Sequence, residues 1–365
     1  MAEYDLAIIG AGIAGASLAA EIAPHARVLL LEGEDAPGYH TTGRSAAFWE
    51  ECYGGPELVP LSRASEVYLR EGGFLSPRGA LYIGRAEDAD KLEAFAARFA
   101  DSGARFDRLA TGAARDYVAS LLPQWCEAIW QPHCADIDVA GLHQHYLKAA
   151  KQGGARLEVR ALVQSLDRQG EGWAIRCADG REWRAAAIVN AAGAWADTLA
   201  GMAGARPLGI QPLLRTMLQL SVDPPLPREG PLTLDISGRF YFKPEGGGSL
   251  WLSPHDETPL PPVDAAPEEL AVAQAIDRFG GVVDAKIRKI ERTWAGLRSF
   301  APDRKPVYGW DPRLPGFFWF AGQGGFGIQT APAAARLASQ LFLERPRDAM
   351  TQALDEQNFS PARFG

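Results

Sequence analysis

An α/β fold, α+β over its whole length, is predicted by this sequence: a Rossmann-type dinucleotide domain into which a second domain with a mixed or antiparallel sheet is inserted. Three observations carry the prediction. The chain opens with an apolar strand, a glycine turn, a helix and a second strand ending in an acid. A proline-punctuated, strand-rich stretch at 207–290 differs in composition from its flanks. A buried strand with another glycine-rich turn returns near residue 317. With 365 residues, 47% of them hydrophobic, the chain can bury a large core and suggests two domains.

The first strand, from Tyr4, runs into Gly10-Ala-Gly12-Ile13-Ala14-Gly15, an apolar helix, and Val28-Leu-Leu-Leu-Glu32. A lone Gly-x-Gly-x-x-Gly is weak evidence. Here it follows a buried strand, opens a helix and precedes a carboxylate 22 residues beyond its first glycine, so its structural context is complete. Gly10 permits the tight turn, Gly12 lets the backbone approach a pyrophosphate, and Gly15 lets the helix pack closely on the strand, its N–H groups facing the phosphates. Glu32 is placed to accept hydrogen bonds from an adenosine ribose, and its charge would repel a 2′-phosphate, which argues against NADP. The alternative, a glycine-rich βαβ turn without a ligand, leaves that context unexplained.

The formal charge of −8 and pI near 5.4 argue against nucleic acid or an anionic membrane as partner. The apolar stretches are too short to span a bilayer, and a strand beginning by residue 4 leaves no room for a cleavable leader. A cytoplasmic protein without stable membrane insertion is therefore expected. Cys52, Cys126, Cys134 and Cys177 match no zinc spacing and read as reduced structural thiols. His143 and His145, two apart, point to different faces of a helix, which argues against a metal site.

After Glu32, the segment Gly38-Tyr-His-Thr-Thr-Gly-Arg44-Ser-Ala-Ala carries hydroxyls, an arginine and flexible backbone without an apolar period, and reads as a functional loop. Helices are predicted at 88–101 and 141–151. Strands at 156–165, 173–177 and 182–187 form a meander around the turns Gln169-Gly170 and Asp179-Gly180. Ile188 to Gly193 reads as a short buried strand ending in small residues, suited to a backbone close to a nucleotide. Between 207 and 290, strands are predicted near 213–222, 232–236, 239–243 and 249–253, with a helix at 268–279. Phe317 to Ala321 is a buried strand, followed by a second Gly-x-Gly-x-x-Gly and a helix at 331–343. Taken alone it suggests a second dinucleotide, but no further strand with a terminal acid follows, so this helix N-terminus is read as aimed at the same cofactor. The predicted partition is 1–50, 141–206 and 291–365 for the dinucleotide domain, and 51–140 with 207–290 for the second.

Four separated motifs are Gly10 to Gly15 with Glu32, Thr41-Thr-Gly-Arg44-Ser45, Val189-Asn-Ala-Ala-Gly193-Ala-Trp195, and Trp294-Ala-Gly-Leu-Arg298 followed by Gln323 to Gln329. Together they resemble the D-amino-acid oxidase family of FAD-dependent oxidoreductases, most closely its D-arginine and D-amino-acid dehydrogenase branch. The resemblance covers nearly the whole chain. It implies FAD, bound non-covalently between the two domains. The cofactor contacts it implies are Gly10, Gly12, Ile13, Ala14, Gly15, Glu32, Gly33, Thr41, Thr42, Gly43, Arg44, Ser45, Ala46, Ala47, Val163, Ala192, Gly193, Trp195, Gly324, Gly325, Phe326, Gly327, Ile328 and Gln329. The implied reaction passes hydride from Cα of an amino acid to flavin N5, and water hydrolyses the imino acid to a 2-oxo acid and ammonia. A quinone, a dye or oxygen is the implied electron acceptor.

The residues make sense of this chemistry without the family name. A flavin accepts the electrons, so the protein has to fix an α-carbon and its substituents. A guanidinium offers a carboxylate a bidentate fork, and Arg298, following what reads as a Trp294-Ala-Gly turn, is the leading anchor. By resemblance, Tyr241 adds a phenol hydrogen bond, Tyr53 sits over the substrate, Arg215 walls the pocket, and Phe48 and Gly325 complete the catalytic set. An arbitrary arginine is usually a surface ion pair and a strand tyrosine usually packing; the motif match favours the functional roles. Two departures bear on substrate. Where the arginine-oxidising branch has an acid after Leu-Ser-Pro-Arg, this chain has Leu75-Ser-Pro-Arg78-Gly-Ala80, and where that branch has a histidine this chain has Phe48. A buried cation without a partner is costly, so small or apolar D-amino acids are expected over D-arginine and D-lysine, with Glu50 and Glu51 the acids left to substitute. Rival readings are N-methyl-amino-acid (sarcosine-type) oxidation, 2-hydroxy-acid oxidation, and a flavin-binding electron relay, which has no need of a carboxylate anchor.

Overall fold

Apolar side chains on both sides of the opening strand place it inside a sheet. β1 (Tyr4–Ile9) sends Leu6 and Ile8 into one core and Ala7 and Ile9 into another, as a parallel strand covered on both faces requires. α1 (Ile13–Ile22) and β2 (Val28–Leu31) follow. The computed structural model describes residues 3–365; Met1 and Ala2, at the head of the first predicted segment, lie outside the described residues.

The next stretch holds β3 (Phe48–Trp49), α2 (Val59–Glu71), β4 (Leu75–Pro77), β5 (Ala80–Gly84), α3 (Ala89–Phe99), β6 (Asp107–Arg108), α4 (Ala114–Tyr117), β7 (Glu127–Gln131) and β8 (Ala135–Ile137). Only α3 is anticipated by the sequence. α2 carries readable signals: Pro60 sits in its first turn, where a missing N–H costs nothing, and Leu61, Ser65 and Leu69 bury one stripe.

Then come α5 (Val139–Gln152), β9 (Arg156–Glu158), β10 (Val163–Gln169), β11 (Gly172–Cys177), β12 (Glu182–Asn190) and α6 (Ala196–Met202). The strand predicted at 156–165 is two strands. A break, with Arg160 at φ +52°, puts β9 parallel beside β2 and leaves β10 to pair with β11. Conversely, 182–187 and 188–190 are one strand: along one edge β12 runs beside β1, and along the other it pairs first with β11 and then with a late strand.

The rest comprises β13 (Gln211–Asp223), β14 (Leu232–Asp235), β15 (Tyr241–Gly246), β16 (Ser249–Ser253), α7 (Glu269–Gly280), β17 (Lys286–Phe300), β18 (Val307–Trp310), β19 (Phe317–Ala321) and α8 (Ala331–Phe342). The main correction is β17. Trp294-Ala-Gly is mid-strand, not a turn, and the predicted partition at 290/291 cuts through a strand that continues to Phe300. Gly296 answers a close approach instead: a Cβ there would lie 3.4 Å from Arg44 Cβ.

Among the described residues, two eight-stranded sheets result. In the first, β9, β2, β1, β12 and β19 are parallel in that order, β18 lies antiparallel beyond β19, and β10 and β11 extend from the first half of β12. α1 contacts both α5 and α8. The second runs β17-β13-β16-β15-β14-β5-β7-β6 and is antiparallel except for parallel β5 and β14, hence mixed. β3, β8 and β4 form a small third sheet. The β13–β17 ladder, from Gln211↔Phe300 to Asp223↔Lys286, carries the side chains that face the first sheet's strand ends across the cavity described next.

Candidate active site

Open α/β sheets bind ligands beyond the carboxyl ends of their strands. A cavity of about 1360 Å³, its open mouth included, lies there. The turn after β1, Glu32 after β2, the 38–48 loop, Ala191–Trp195 after β12 and the glycine segment after β19 wall one side; β13, β15 and β17 wall the other.

At the glycine end, Gly10 has φ +101° and a Cβ there would stand 2.5 Å from Ala191 O, so the ends of β1 and β12 touch. A Cβ on Gly15 would stand 1.8 Å from Gly10 O. Glu32 accepts from Ala11 N at 3.0 Å and Glu34 N at 3.1 Å, so this carboxylate also holds the turn. Thr42 Oγ1 accepts from Ile13 N at 3.0 Å and Thr41 Oγ1 donates to Leu297 O at 2.6 Å, bracing the loop between the glycine turn and β17. The Arg44 guanidinium is engaged by Asp264 and by the carbonyls of Ala265 and Ala295. On α5, His143 meets Ala11 O at 2.8 Å, burial holding its pKa below the usual value, while His145 turns to Tyr68.

These surroundings fit a flavin dinucleotide. The glycines give backbone approach, the N-cap of α1 has no side-chain cap, and Gln323 Nε2 on the cavity wall is buried without a partner. Of the predicted contacts, Gly10, Gly12, Ile13, Ala14, Glu32, Thr41, Thr42, Arg44, Ser45, Ala46, Ala47, Ala192, Gly193, Trp195, Gly324, Gly325, Gly327 and Ile328 line the cavity. Gly15, Gly33, Gly43, Val163, Phe326 and Gln329 do not. Val163 is packed in the core with Leu29 and Leu31, and Phe326 lies against Phe300 and Tyr53. Gln329 clasps the backbone of Glu50, accepting from its N and donating to its O, both at 3.2 Å. Wall residues absent from the predicted contacts include His40, Leu297 and Gln323, which lie inside the segments singled out above, and Met217 and Ser299, which lie outside them. Strand alternation from Arg215 points to Met217.

At the other end, Arg298 and Arg215 are 8% and 7% exposed and occupy diagonal positions of the β13–β17 ladder, opposite Leu213 and Gly296 respectively. Arg298 Nη1 donates to Tyr53 OH at 2.8 Å, Nη2 donates to Glu257 at 2.7 Å, and Nε has no partner. Arg215 Nε donates to Asp256 O at 3.0 Å, and Nη2 has no hydrogen-bond partner. Orphan donors on two buried guanidiniums call for an anion. Burial opposes both charges: it and Arg298 lower the pKa of Arg215, whereas for Arg298 the nearby Tyr53 and Glu257 outweigh burial and raise it.

The remaining predicted residues surround this pair. Tyr241 OH donates to Met217 Sδ at 3.1 Å, a weak acceptor. The Phe48 ring lies 5.6 Å from that of Tyr53 and 5.9 Å from that of Tyr241. A Cβ on Gly325 would meet Tyr53 OH at 2.3 Å and Arg298 Nη1 at 2.8 Å, so a glycine is required there. Glu50 and Glu51 are engaged elsewhere. Glu50 accepts from Tyr82 OH and Cys52 N at 2.9 Å, Glu51 pairs with Arg105 at 2.6 Å, and neither lines the cavity. Ala80 is fully buried in β5 and does not line it either. Glu257, beside both arginines, has no precedent in the sequence reading.

The sequence profile described as FAD dependent oxidoreductase (DAO) matches residues 5–341. Among curated proteins, the hydrogen cyanide synthase subunit HcnC of Pseudomonas aeruginosa is 29% identical over 220 residues, covering 60% of this chain and 50% of that protein. Glycine oxidase of Bacillus subtilis is 28% identical over 205 residues, covering 55% of this chain and 52% of that one. The aligned stretch thus spans about half the length of these relatives. In fold, the chain is similar to glycine oxidase from Geobacillus kaustophilus (TM-score 0.84, 24% identity, 100% of this chain and 99% of that one). It is equally similar to L-proline dehydrogenase from P. horikoshii (TM-score 0.84, 22% identity, 99% and 97%).

Proposed function

The chain belongs to the FAD dependent oxidoreductase family, with FAD its cofactor, and on that premise we propose that it oxidatively deaminates D-amino acids with small or apolar side chains, the FAD held non-covalently. One observation carries the reading: Arg298, a buried residue of the cavity wall, stands beside Arg215 with its Nε left unpartnered. A guanidinium so placed binds a carboxylate, and an electron relay has no use for one.

FAD, when bound, takes up the hydride released in oxidising the carbon–nitrogen bond. The chain's own residues do the rest. Arg298 fixes the α-carboxylate, with Arg215 as the second guanidinium of the wall. Tyr53 closes over this end, its hydroxyl already within hydrogen-bond distance of Arg298. Phe48, Met217, Tyr241 and Ala46 line the cavity beside it. A cationic side chain gives up hydration there with no free carboxylate to return it, because Glu50 and Glu51 are engaged elsewhere. The D configuration rests on the resemblance of the four motifs to the D-amino-acid branch.

The test is reduction of a dye, a quinone analogue and oxygen by the holoenzyme with a panel of D- and L-amino acids, sarcosine, and D- and L-2-hydroxy acids. Turnover of D-alanine, D-leucine or D-phenylalanine above D-arginine and D-lysine is expected. Turnover confined to sarcosine, L-amino acids or 2-hydroxy acids overturns the reading.

A further inference from the structure

We propose that Glu257 sets the charge of the substrate this site admits, limiting the arginine pair to one carboxylate per substrate and rejecting a second. The inference rests on the reading of Arg298 as a carboxylate anchor and adds a specificity determinant to it.

Glu257 lies between β16 and α7. Its Oε1 is 2.7 Å from Arg298 Nη2, 2.9 Å from Arg304 Nη2 and 3.6 Å from Arg215 Nη2. An ordinary surface ion pair with Arg304, which is half exposed, would leave the buried Arg298 untouched; here one oxygen serves both. Asp256 adds a carboxylate 3.8 Å from Arg215 Nε, its oxygens also accepting from Thr216 N and Oγ1. His255 adds nothing: burial and the two arginines drive its pKa down to about 2, so it is neutral. Glu257 stays ionised, because Arg298 and Arg304 outweigh the burial that pushes its carboxyl up and hold it below the usual range.

The local count is then three guanidiniums against two carboxylates, one positive charge over. One substrate carboxylate uses that charge, the substrate amine being counted as the neutral base whose lone pair assists loss of hydride from Cα. A second would leave the cluster net negative, with an unpaired anion beside two buried guanidiniums and Glu257 already on the Nη2 donor it would seek. Like charges brought together in such a site are a standard means of rejecting the wrong ligand.

The test uses the FAD-loaded protein and two carboxylates that it cannot oxidise, acetate and malonate, titrated through the flavin absorbance spectrum. In parallel, kcat/KM is compared for D-aspartate and D-alanine. Glu257→Gln is expected to raise the malonate-to-acetate affinity ratio, and the D-aspartate-to-D-alanine ratio, by roughly tenfold. Glu257→Ala, a second charge-free variant, should do the same, while Glu257→Asp keeps the charge and should stay near wild type. Unchanged ratios in the two charge-free variants overturn the proposal, as does Glu257→Asp behaving like Glu257→Gln, which would mean that reach and not charge matters. Arg298→Met separates the two layers. If it binds both anions like wild type, the anchor itself is wrong; if no amino acid is oxidised yet the anion ratio shifts as stated, the proposed reaction fails and the role of Glu257 stands.

Discussion

Arg298 Nη1 donates a hydrogen bond of 2.8 Å to the hydroxyl of Tyr53, a residue 245 positions away in sequence. The proposed carboxylate anchor and Tyr53 are therefore already joined in the structure. Arg298→Met is expected to lower kcat/KM on the order of a hundredfold, about 3 kcal/mol, with FAD content unchanged. Arg298→Lys should recover part of this, lacking the planar fork. Tyr53→Phe removes one neutral partner and should cost about tenfold at most. Normal kinetics for Arg298→Met on every amino acid tried would place the residue outside the site.

Gly15 tests the cofactor end. With Gly10 O 1.8 Å from where a Cβ would lie, Gly15→Ala has to push α1 off the glycine turn. The variant should purify with little FAD and a lowered Tm. In the parent protein, acid precipitation should leave all flavin in the supernatant. Flavin in the pellet would show a covalent bond.

Glu50 gives a pH signature. Burial raises its carboxyl from 4.5 to about 7, against hydrogen bonds from Cys52 N and Tyr82 that favour the anion. Between those values the folded protein keeps a proton that the unfolded chain has lost, so this group's contribution falls as pH rises from about 4.5 to about 7 and stays lost above, a cost on the order of 3 kcal/mol. Glu50→Gln removes the dependence. Its Tm should gain on wild type as pH goes from about 5 to about 8; a constant offset would contradict the assignment.

Substrate choice separates two positions that the sequence alone treats alike. Phe48 lines the cavity and Ala80 does not. Phe48→Glu should raise kcat/KM for D-arginine relative to D-leucine. Ala80→Glu, placing a charge in the apolar cluster with Leu232 and Ile129, should lower Tm without that change in preference. A shift of preference in Ala80→Glu instead would mean that position 80 reaches the substrate.

What could be read from sequence is what contiguous residues encode. The glycine turn, Glu32 and the loop at 38–47 sit next to one another in the chain, and each lines the cavity in the structure. Glu257 was illegible because its partners, Arg298 and Arg304, lie 41 and 47 residues away and only pairing of the second sheet brings them together. Gly296 misled because a glycine inside a strand and a glycine in a turn look the same in one dimension. The difference is Arg44, packed against it from the 38–48 loop, which is distant in the chain. β5 and β7 were missed as short apolar runs, whose strand character comes from their neighbours.

The parallel sheet receives β19 last, beside the second half of β12, after the whole of the second sheet has been made. While the ribosome is still delivering that intervening chain, Ile188 and Val189 present an open strand edge that the finished protein buries completely. The wall formed by Gln323 to Ile328 does not yet exist. The cavity that fits the cofactor therefore has its full wall only once β19 and the glycine segment after it are in place, and until then the open edge is exposed to mispairing.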